Sequence, residues 1–291
     1  MEIDGVPIWT GGPPYLIAEI SCNHCGDKDR AIRLIRFAAG AGADAVKFQL
    51  FTPDEMADPQ GEPLTSGPWA GRKLYDLYAD ALTPREWFPD LFTECARVGV
   101  SPIVSVLSAD GIAYLETLDC PAYKIPSAEN TWTDLMRAAA ATGKPVLVST
   151  GMTEKRDVER IVGAVPHTQL ILLHCVSAYP TPANHARLGD LSYFIHRWGT
   201  EFPVGQSDHS VNRATIAQAV TLGAAVLEVH IMANEGPWPL DVRFSWAPES
   251  FTRLAGDIRD WYAALQPTDQ DVEADSRQFK RREIDGRWLR G

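Results

Sequence analysis

VGQSDHSVNRATIAQAVTLGAAVLEVH, residues 204–230, contains one full turn of a repeating unit. It opens with a short apolar run that ends in Ser207-Asp208-His209. A helix pattern follows over 212–222 and stops at Gly223. The chain then re-enters a second apolar run, which ends in Glu228-Val229-His230. Both runs are rich in small and branched apolar residues and scarcely alternate with polar ones. That is the pattern of parallel strands buried on both faces. A helical crossover between them returns the chain in the same direction, so both runs finish at the same end of the sheet. The reading therefore sets His209 and His230 side by side at one mouth.

The same unit recurs outward in both directions. Further strands are expected at 15–20, 45–49, 103–106, 122–125, 146–149 and 170–174. Helix patterns lie at 31–39, where Ile32, Ile35 and Ala39 share a face, and at 110–118, 133–142, 154–165, 188–198 and 248–265. Thr83-Pro84-Arg85-Glu86 reads as a capping box with proline at the first helical position. Glycine recurs at the helix ends, at Gly40 or Gly42, Gly99, Gly143, Gly199 and Gly223, as expected for a left-handed position after the last turn. Eight strands each followed by a helix make a (β/α)8 TIM barrel, a single domain over 1–265. A doubly wound open sheet is the rival, and it would need fewer strands or a second domain. Residues 1–14 are expected to form a short N-terminal plug or hairpin at the barrel bottom. The stretch 51–80 follows the second strand as a long active-site loop. The charged segment 266–291 reads as a C-terminal arm or linker.

Composition narrows the class. Hydrophobic residues make up 45% of the 291 and charged residues 22%, as in an ordinary globular enzyme. A formal net charge of −11 argues against a nucleic-acid partner but not against an anionic small molecule bound by buried lysines. Five scattered cysteines, without an N-terminal apolar signal segment, point to free thiols in a cytoplasmic setting. No apolar run approaches the roughly 20 residues needed to cross a bilayer, so no membrane role is expected.

A barrel carries its chemistry at the C-terminal ends of its strands. In order those ends supply Glu19, Asn23 and His24; Lys47 and Gln49; Ser105; Lys124, Ser127 and Glu129; Ser149 and Thr150; His174, Ser177 and Tyr179; Ser207 and His209; Glu228 and His230; then Asp241. The strand bodies are apolar and their ends polar, a contrast that a purely structural barrel does not need. A lysine at the end of a buried strand needs an anionic partner or a shifted pKa. Lys47 and Lys124, with hydroxyls nearby, therefore read as a phosphate or carboxylate site. The alternative is a pair of structural salt bridges to Glu19 or Glu129. A lone strand-end histidine is usually a hydrogen-bonded core residue. Two on adjacent strands, near Glu228 and Asp241, point instead to a divalent metal such as Mn2+ with open positions, rather than structural zinc. Cys22-Asn-His-Cys25 opens no thioredoxin-like unit and reads as a loop rather than a redox motif. Trp69 and Trp238 are candidates to cover a sugar face, or else simply to pack their loops.

The motifs YLIAEISCNHCGD (15–27), DAVKFQLF (44–51), AYKIPSAE (122–129), GKPVLVSTGM (143–152), LLHCVSAYPTP (172–182) and VGQSDHS (204–210) resemble the N-acetylneuraminate (sialic acid) synthase family. The segment GPWAGRKLYDLYADALTPREW (67–87) is most similar to its pseudaminic acid synthase branch, and the resemblance spans about 15–260. It implies condensation of phosphoenolpyruvate with the aldehyde of an open-chain sugar, giving a 2-keto-3-deoxy acid and phosphate. On this resemblance Lys47, Ser105, Lys124, Ser127, Ser149 and Ser207 hold phosphoenolpyruvate, with Gln49, Ser177 and Tyr179 nearby. His209 and His230 hold Mn2+ or Mg2+. Glu19, Glu129 and Asp241 face the sugar and the reacting water, with Asn23 and His24 in the same substrate-binding set. Glu19, Glu228 or Asp241 supplies the acid–base chemistry, and a homodimer is expected.

The chain also departs from the family pattern. Val229 stands where a lysine is usual, Ser177 where an asparagine is, Cys25 in place of a second asparagine, and Val242 in place of a histidine. The resemblance further implies that the family's C-terminal antifreeze-like domain is lacking. Together these lead to the expectation that the acceptor is not plain N-acetylmannosamine but a specialised sugar or sugar-like aldehyde, as in natural-product biosynthesis. Two other readings compete: a metal-dependent barrel aldolase that does not use phosphoenolpyruvate, and a non-catalytic degenerate barrel.

Overall fold

The computed structural model describes residues 1–67, 69–237 and 239–267, and the backbone of 281–284 and 287–290. Eight parallel strands form its centre: β1 (Tyr15–Glu19), β2 (Ala45–Leu50), β3 (Ser101–Val106), β4 (Ala122–Ile125), β5 (Val146–Ser149), β6 (Leu170–Cys175), β7 (Val204–Asp208) and β8 (Val226–Ile231). Each pairs with the next, and β8 pairs with both β7 and β1, so the sheet closes on itself. The surrounding helices are α1 (Lys28–Ala41), α2 (Phe88–Val98), α3 (Ala109–Glu116), α4 (Thr133–Ala140), α5 (Lys155–Ala164), α6 (Leu188–Trp198), α7 (Arg213–Leu222) and α8 (Pro248–Leu265). The (β/α)8 expectation holds.

The alternation of side chains along each strand divides the core in two. Leu16, Ala18, Val46, Phe48, Val104, Val148, Leu172, Leu227 and Val229 point outward and pack beneath the helices. Tyr15, Ile17, Ala45, Ile103, Ala122, Leu147, Ile171, Leu173 and Val226 point inward and form a separate apolar cluster. Ile3 and Ile8 join that inner cluster from the N-terminal hairpin of Glu2–Ile3 and Val6–Pro7, which plugs the barrel bottom. Each fully buried Leu, Ile or Phe contributes roughly 1.5–3 kcal/mol of burial. Two residues further along, the inward positions turn polar: Glu19, Lys47, Ser105, Lys124, Ser149, Ser207 and Glu228. An apolar inner layer thus underlies a charged one.

Three local expectations are corrected. The capping box at Thr83–Glu86 does not form: Arg85–Trp87 is a 3-10 turn and α2 starts at Phe88, because the Thr83 hydroxyl lies 3.2 Å from His24 Nε2. Gly199 closes α6 with a right-handed φ of −63°, whereas Gly42, Gly99, Gly143 and Gly223 take positive φ. The long loop after β2 is partly helical, at Pro53–Met56 and Leu74–Ala81. Its first helix is signalled by Thr52-Pro53-Asp54-Glu55, whose Glu55 carboxylate accepts from the Thr52 backbone N–H at 2.7 Å. Within the expected arm, Arg281–Ile284 and Arg287–Arg290 pair as an antiparallel hairpin; the remainder of that segment beyond 267 lies outside the described residues.

Candidate active site

A cavity of about 280 Å³ opens at the C-terminal mouth of the barrel. Its floor is the polar layer of the strands. Parallel pairing places Glu19 opposite Lys47, Ser105 opposite Lys124, and Ser207 opposite Glu228. Lys47 Nζ lies 2.7 Å from Glu19 Oε2 and donates to Ser105 Oγ at 3.1 Å. Gln49 Nε2 donates to the other Glu19 oxygen at 2.9 Å. Glu228 Oε1 accepts from Ser207 Oγ at 2.9 Å, and lies 3.6 Å from Lys124 Nζ and 3.7 Å from Lys47 Nζ.

The two lysines therefore differ electrostatically. Burial works against the Lys47 charge, but Glu19 and Glu228 more than offset it, and its pKa is raised. Burial dominates at Lys124, whose pKa is lowered, and Lys47 adds to the lowering against the pull of Glu228. Lys124 is a buried ammonium with incomplete compensation, so an arriving anion would stabilise its charge. The structural salt-bridge alternative thus applies to Lys47, through Glu19. Lys124 pairs with neither Glu19 nor Glu129.

Hydroxyls ring the space beside Lys124. Ser127 Oγ accepts from the Gly151 backbone N–H at 3.1 Å. A Cβ on Gly151 would sit 2.2 Å from Ser177 Oγ and 2.6 Å from Ser127 Oγ, so only glycine lets these hydroxyls and this backbone converge. Ser149 Oγ is buried with no hydrogen-bond partner among the described residues. Unmet hydroxyl and ammonium donors around one pocket suit an oxyanion.

On the opposite side, the His209 and His230 rings lie 5.2 Å apart, centroid to centroid. His209 Nδ1 is 3.3 Å from the Val176 carbonyl oxygen, and His230 Nδ1 is 3.4 Å from Asp241 Oδ2. The His209 contact leaves its Nε2 as the remaining nitrogen, whereas His230 Nδ1 is buried near Asp241 without a hydrogen-bond partner among the described residues. Burial lowers the His209 pKa, keeping its imidazole neutral and able to act as a ligand. Glu228 Oε2 is buried without a hydrogen-bond partner. Among the described residues, no group of three or more His, Cys, Asp or Glu is arranged to hold a metal. The described residues thus form no closed structural metal site, and the two imidazoles are the nitrogen donors this mouth would offer a cation. For Asp241, burial raises the pKa, but contacts with His230, Ser21 and Cys22 together outweigh it and the carboxylate stays ionised.

The remaining expected residues divide. Gln49, Ser105, Ser127, Glu129, Ser149, Tyr179, Ser207, Glu228 and Asp241 line the cavity together with both lysines and both histidines. Glu129 is half-buried, and burial, against the pull of Lys124, raises its pKa to about 7. Glu19 is fully buried under Lys47 and Gln49 and does not reach the cavity wall. Ser177 sits behind Gly151. Asn23 is turned away: its Nδ2 donates to the Ile231 carbonyl at 2.6 Å and to Ser245 Oγ at 2.9 Å, tying loop to strand. His24 is likewise structural, with Nδ1 accepting from the Gly26 N–H and Nε2 against Thr83. His174 faces outward, 2.9 Å from the Ala186 carbonyl oxygen, because it alternates with the inward Cys175. Ser21 and Phe244 line the cavity although the sequence did not mark them, and Cys22 and Cys175 line it too. The alternation of β6 would have found Cys175. Trp69 stands at the mouth, 6.3 Å from the Tyr179 ring centroid; Trp238 lies outside the described residues.

Residues 34–270 match the NeuB family. The chain belongs to the NeuB family. Pseudaminic acid synthase of Campylobacter jejuni subsp. jejuni serotype O:23/36 is 34% identical over 274 residues, covering 92% of this chain and 79% of its own. Pseudaminic acid synthase of Helicobacter pylori is 34% identical over 259 residues, covering 87% of this chain and 76% of its own. Among solved structures, N-acetylneuraminic acid synthetase of Leptospira borgpetersenii serovar Hardjo-bovis superposes with a TM-score of 0.83 at 26% identity, covering 95% of this chain and 94% of that one. This NeuB-family barrel therefore shares its fold with sugar-acid synthases along nearly its whole length. No helix among its described residues is long and apolar enough to cross a membrane.

Proposed function

We propose that this protein condenses phosphoenolpyruvate with the aldehyde of a sugar or sugar-like acceptor. The acceptor is extended by three carbons to a 2-keto-3-deoxy acid, and phosphate is released. The observation that carries this is the under-compensated Lys124 beside the Ser127, Ser149 and Gly151 cradle, within one cavity of the two imidazoles. Membership of the NeuB family supports the same reading. An aldolase acting on neutral substrates alone would have no use for the oxyanion cradle.

In this reading Lys124, Ser127 and Ser149 bind the phosphate, with the Gly151 N–H orienting the Ser127 hydroxyl, and Lys47, Ser105 and Ser207 border the carboxylate end. These groups hold a multiply charged reactant at fixed distance from the acceptor carbon. His209 and His230 hold the cation, and Asp241 fixes the His230 ring. A divalent cation held there, Mn2+ or Mg2+, supplies Lewis-acid polarisation of the aldehyde oxygen. The enolpyruvate C3 forms the new bond to the aldehyde carbon, and that oxygen gains a proton. Glu129, half-protonated near neutrality, is the acid placed to deliver it. Water adds at C2, and the bond from C2 to the phosphate oxygen breaks as phosphate leaves. Glu228, held ionised by Lys124 and Lys47, is the carboxylate on the cavity floor whose partnerless Oε2 is placed to orient the water, and the water's proton passes to the departing phosphate. A homodimer and a cytoplasmic location belong to the same proposal.

The test is phosphate release from phosphoenolpyruvate with Mn2+, screened over aldehyde sugars with mass analysis of the product. Release that needs both an acceptor and the cation supports the reading. Aldehyde consumption without any requirement for phosphoenolpyruvate overturns it.

A further inference from the structure

Ser21 lines the cavity, is buried, and holds a left-handed backbone at φ 47°. Glycine takes that conformation freely, whereas a residue with a Cβ is strained in it. A serine kept there, on the wall of a site, calls for a task for its hydroxyl. Its place in the sheet defines that task. Ser21 opens the 3-10 turn Ser21–His24, one residue beyond the end of β1. β1 lies between β2 and β8, with Glu19 opposite Lys47 on one side and His230 on the other. Ser21 therefore stands at the seam between the lysine side of the floor and the histidine side.

On the β2 side, Gln49 Nε2 donates to Ser21 Oγ at 3.1 Å and to Glu19 Oε1 at 2.9 Å. Accepting from Gln49 leaves the Ser21 hydroxyl its own proton to donate. On the β8 side it meets Asp241, whose carboxylate Ser21 and Cys22 help to keep ionised. The two turns are also tied through a second route. Asn23 Nδ2 donates at 2.9 Å to Ser245 Oγ, which in turn donates at 2.8 Å to the Asp241 carbonyl oxygen. Asp241 Oδ2 then lies 3.4 Å from His230 Nδ1. A continuous path runs from Lys47 and Glu19 through Gln49 and Ser21 to Asp241 and His230.

We propose that Ser21 is a positioning residue: its hydroxyl, aimed by the left-handed backbone, fixes the Asp241 carboxylate and through it the His230 ring. This rests on the condensation reading above for the task of His230. Groups that orient a ligand's own partner govern how well the ligand binds, and losing one lowers metal affinity by roughly 10–100-fold. Glycine at position 21 would fold with less strain and leave Asp241 one donor poorer. Stability and site quality therefore pull in opposite directions at this residue, which a purely structural serine would not show.

The experiment compares Ser21→Gly and Ser21→Ala in the full-length chain. Both lose the hydroxyl, and only glycine relieves the strain. Without metal, the urea midpoint of Ser21→Gly should lie above that of Ser21→Ala. Mn2+ affinity, read from the paramagnetic resonance of the free ion, should fall about tenfold in both variants. The calorimetric Kd for phosphoenolpyruvate, measured without metal, should be unchanged. In an Asp241→Ala background, Ser21→Gly should leave Mn2+ affinity unchanged, because the group it acts through is gone. Parental Mn2+ affinity in both variants overturns the inference and leaves the condensation reading standing. So does an equal loss of affinity in the Asp241→Ala background, or a Ser21→Gly chain less stable than Ser21→Ala. A parent chain that binds neither phosphoenolpyruvate nor Mn2+ removes both readings, and its calorimetry separates that case from the others.

Discussion

Lys124 Nζ stands 3.6 Å from Glu228 Oε1, while Lys47, sharing that same oxygen at 3.7 Å, has its own carboxylate in Glu19 at 2.7 Å. One lysine is thereby compensated inside the barrel, and the proposed function gives the other to the ligand. Lys47→Met should remove the partner of a fully buried Glu19 and destabilise the protein by about 3–5 kcal/mol, read by denaturant unfolding. Lys124→Met should change stability far less. It should instead weaken phosphoenolpyruvate binding by about 2–3 kcal/mol, roughly 30–150-fold in Kd by calorimetry. Equal loss of stability in the two variants would remove the distinction.

Gly151→Ala tests the oxyanion cradle. Its Cβ would meet Ser177 Oγ and Ser127 Oγ at 2.2 and 2.6 Å, so the hydroxyls must move. Overpacking of this kind costs about 1–3 kcal/mol. The KM for phosphoenolpyruvate should rise roughly tenfold or more because the binding groups are displaced. An unchanged KM would place the phosphate elsewhere in the cavity.

Glu129 sets the expected pH dependence of catalysis. Burial holds its carboxyl at about 7, so it is protonated below that pH and charged above it. As the acid that supplies a proton to the acceptor oxygen, it should make kcat/KM for the acceptor fall as pH rises through about 7. Glu129→Gln should lower the rate and abolish that limb of the profile. Retention of the limb in the variant would assign the titration to another group.

His24 sets a pH dependence of stability instead. Burial lowers its pKa from 6.5 to about 4, with Arg30 adding to the effect. Between those values the unfolded chain takes up a proton that the folded ring refuses. Stability from this group is therefore full above 6.5 and is lost as pH falls toward 4, on the order of 3 kcal/mol in all. His174 and His209, also lowered by burial, add to the same slope. Urea unfolding of His24→Gln between pH 4 and 7 should show a shallower fall than the parent chain. Parallel slopes would contradict the assignment.

The barrel itself was legible from the chain. The eight apolar runs read as strands in the sequence are the eight strands of the closed sheet, because a strand covered on both faces must be apolar throughout. The turn to polar residues at their ends also identified the mouth, and with it Lys47, Lys124, His209 and His230. Local pattern suffices where the period is short and every repeat obeys it.

The direction of single side chains was decided by the tertiary structure. Sequence placed Asn23, His24 and Glu19 near the mouth, and the fold uses Asn23 and His24 to tie a loop and Glu19 to neutralise Lys47, since buried polar groups are claimed by whichever partner the packing brings within reach. The unequal standing of the two lysines follows from registers between strands distant in the chain. So does the upper wall of the cavity, to which the loop after β2, Met152 and Leu240 contribute. Sequence by itself determined the repeat, the closed sheet and the chemical types at its mouth. Which of those groups are spent inside the protein and which face a substrate depends on distances of a few ångströms between separate strands, and only the folded chain sets those.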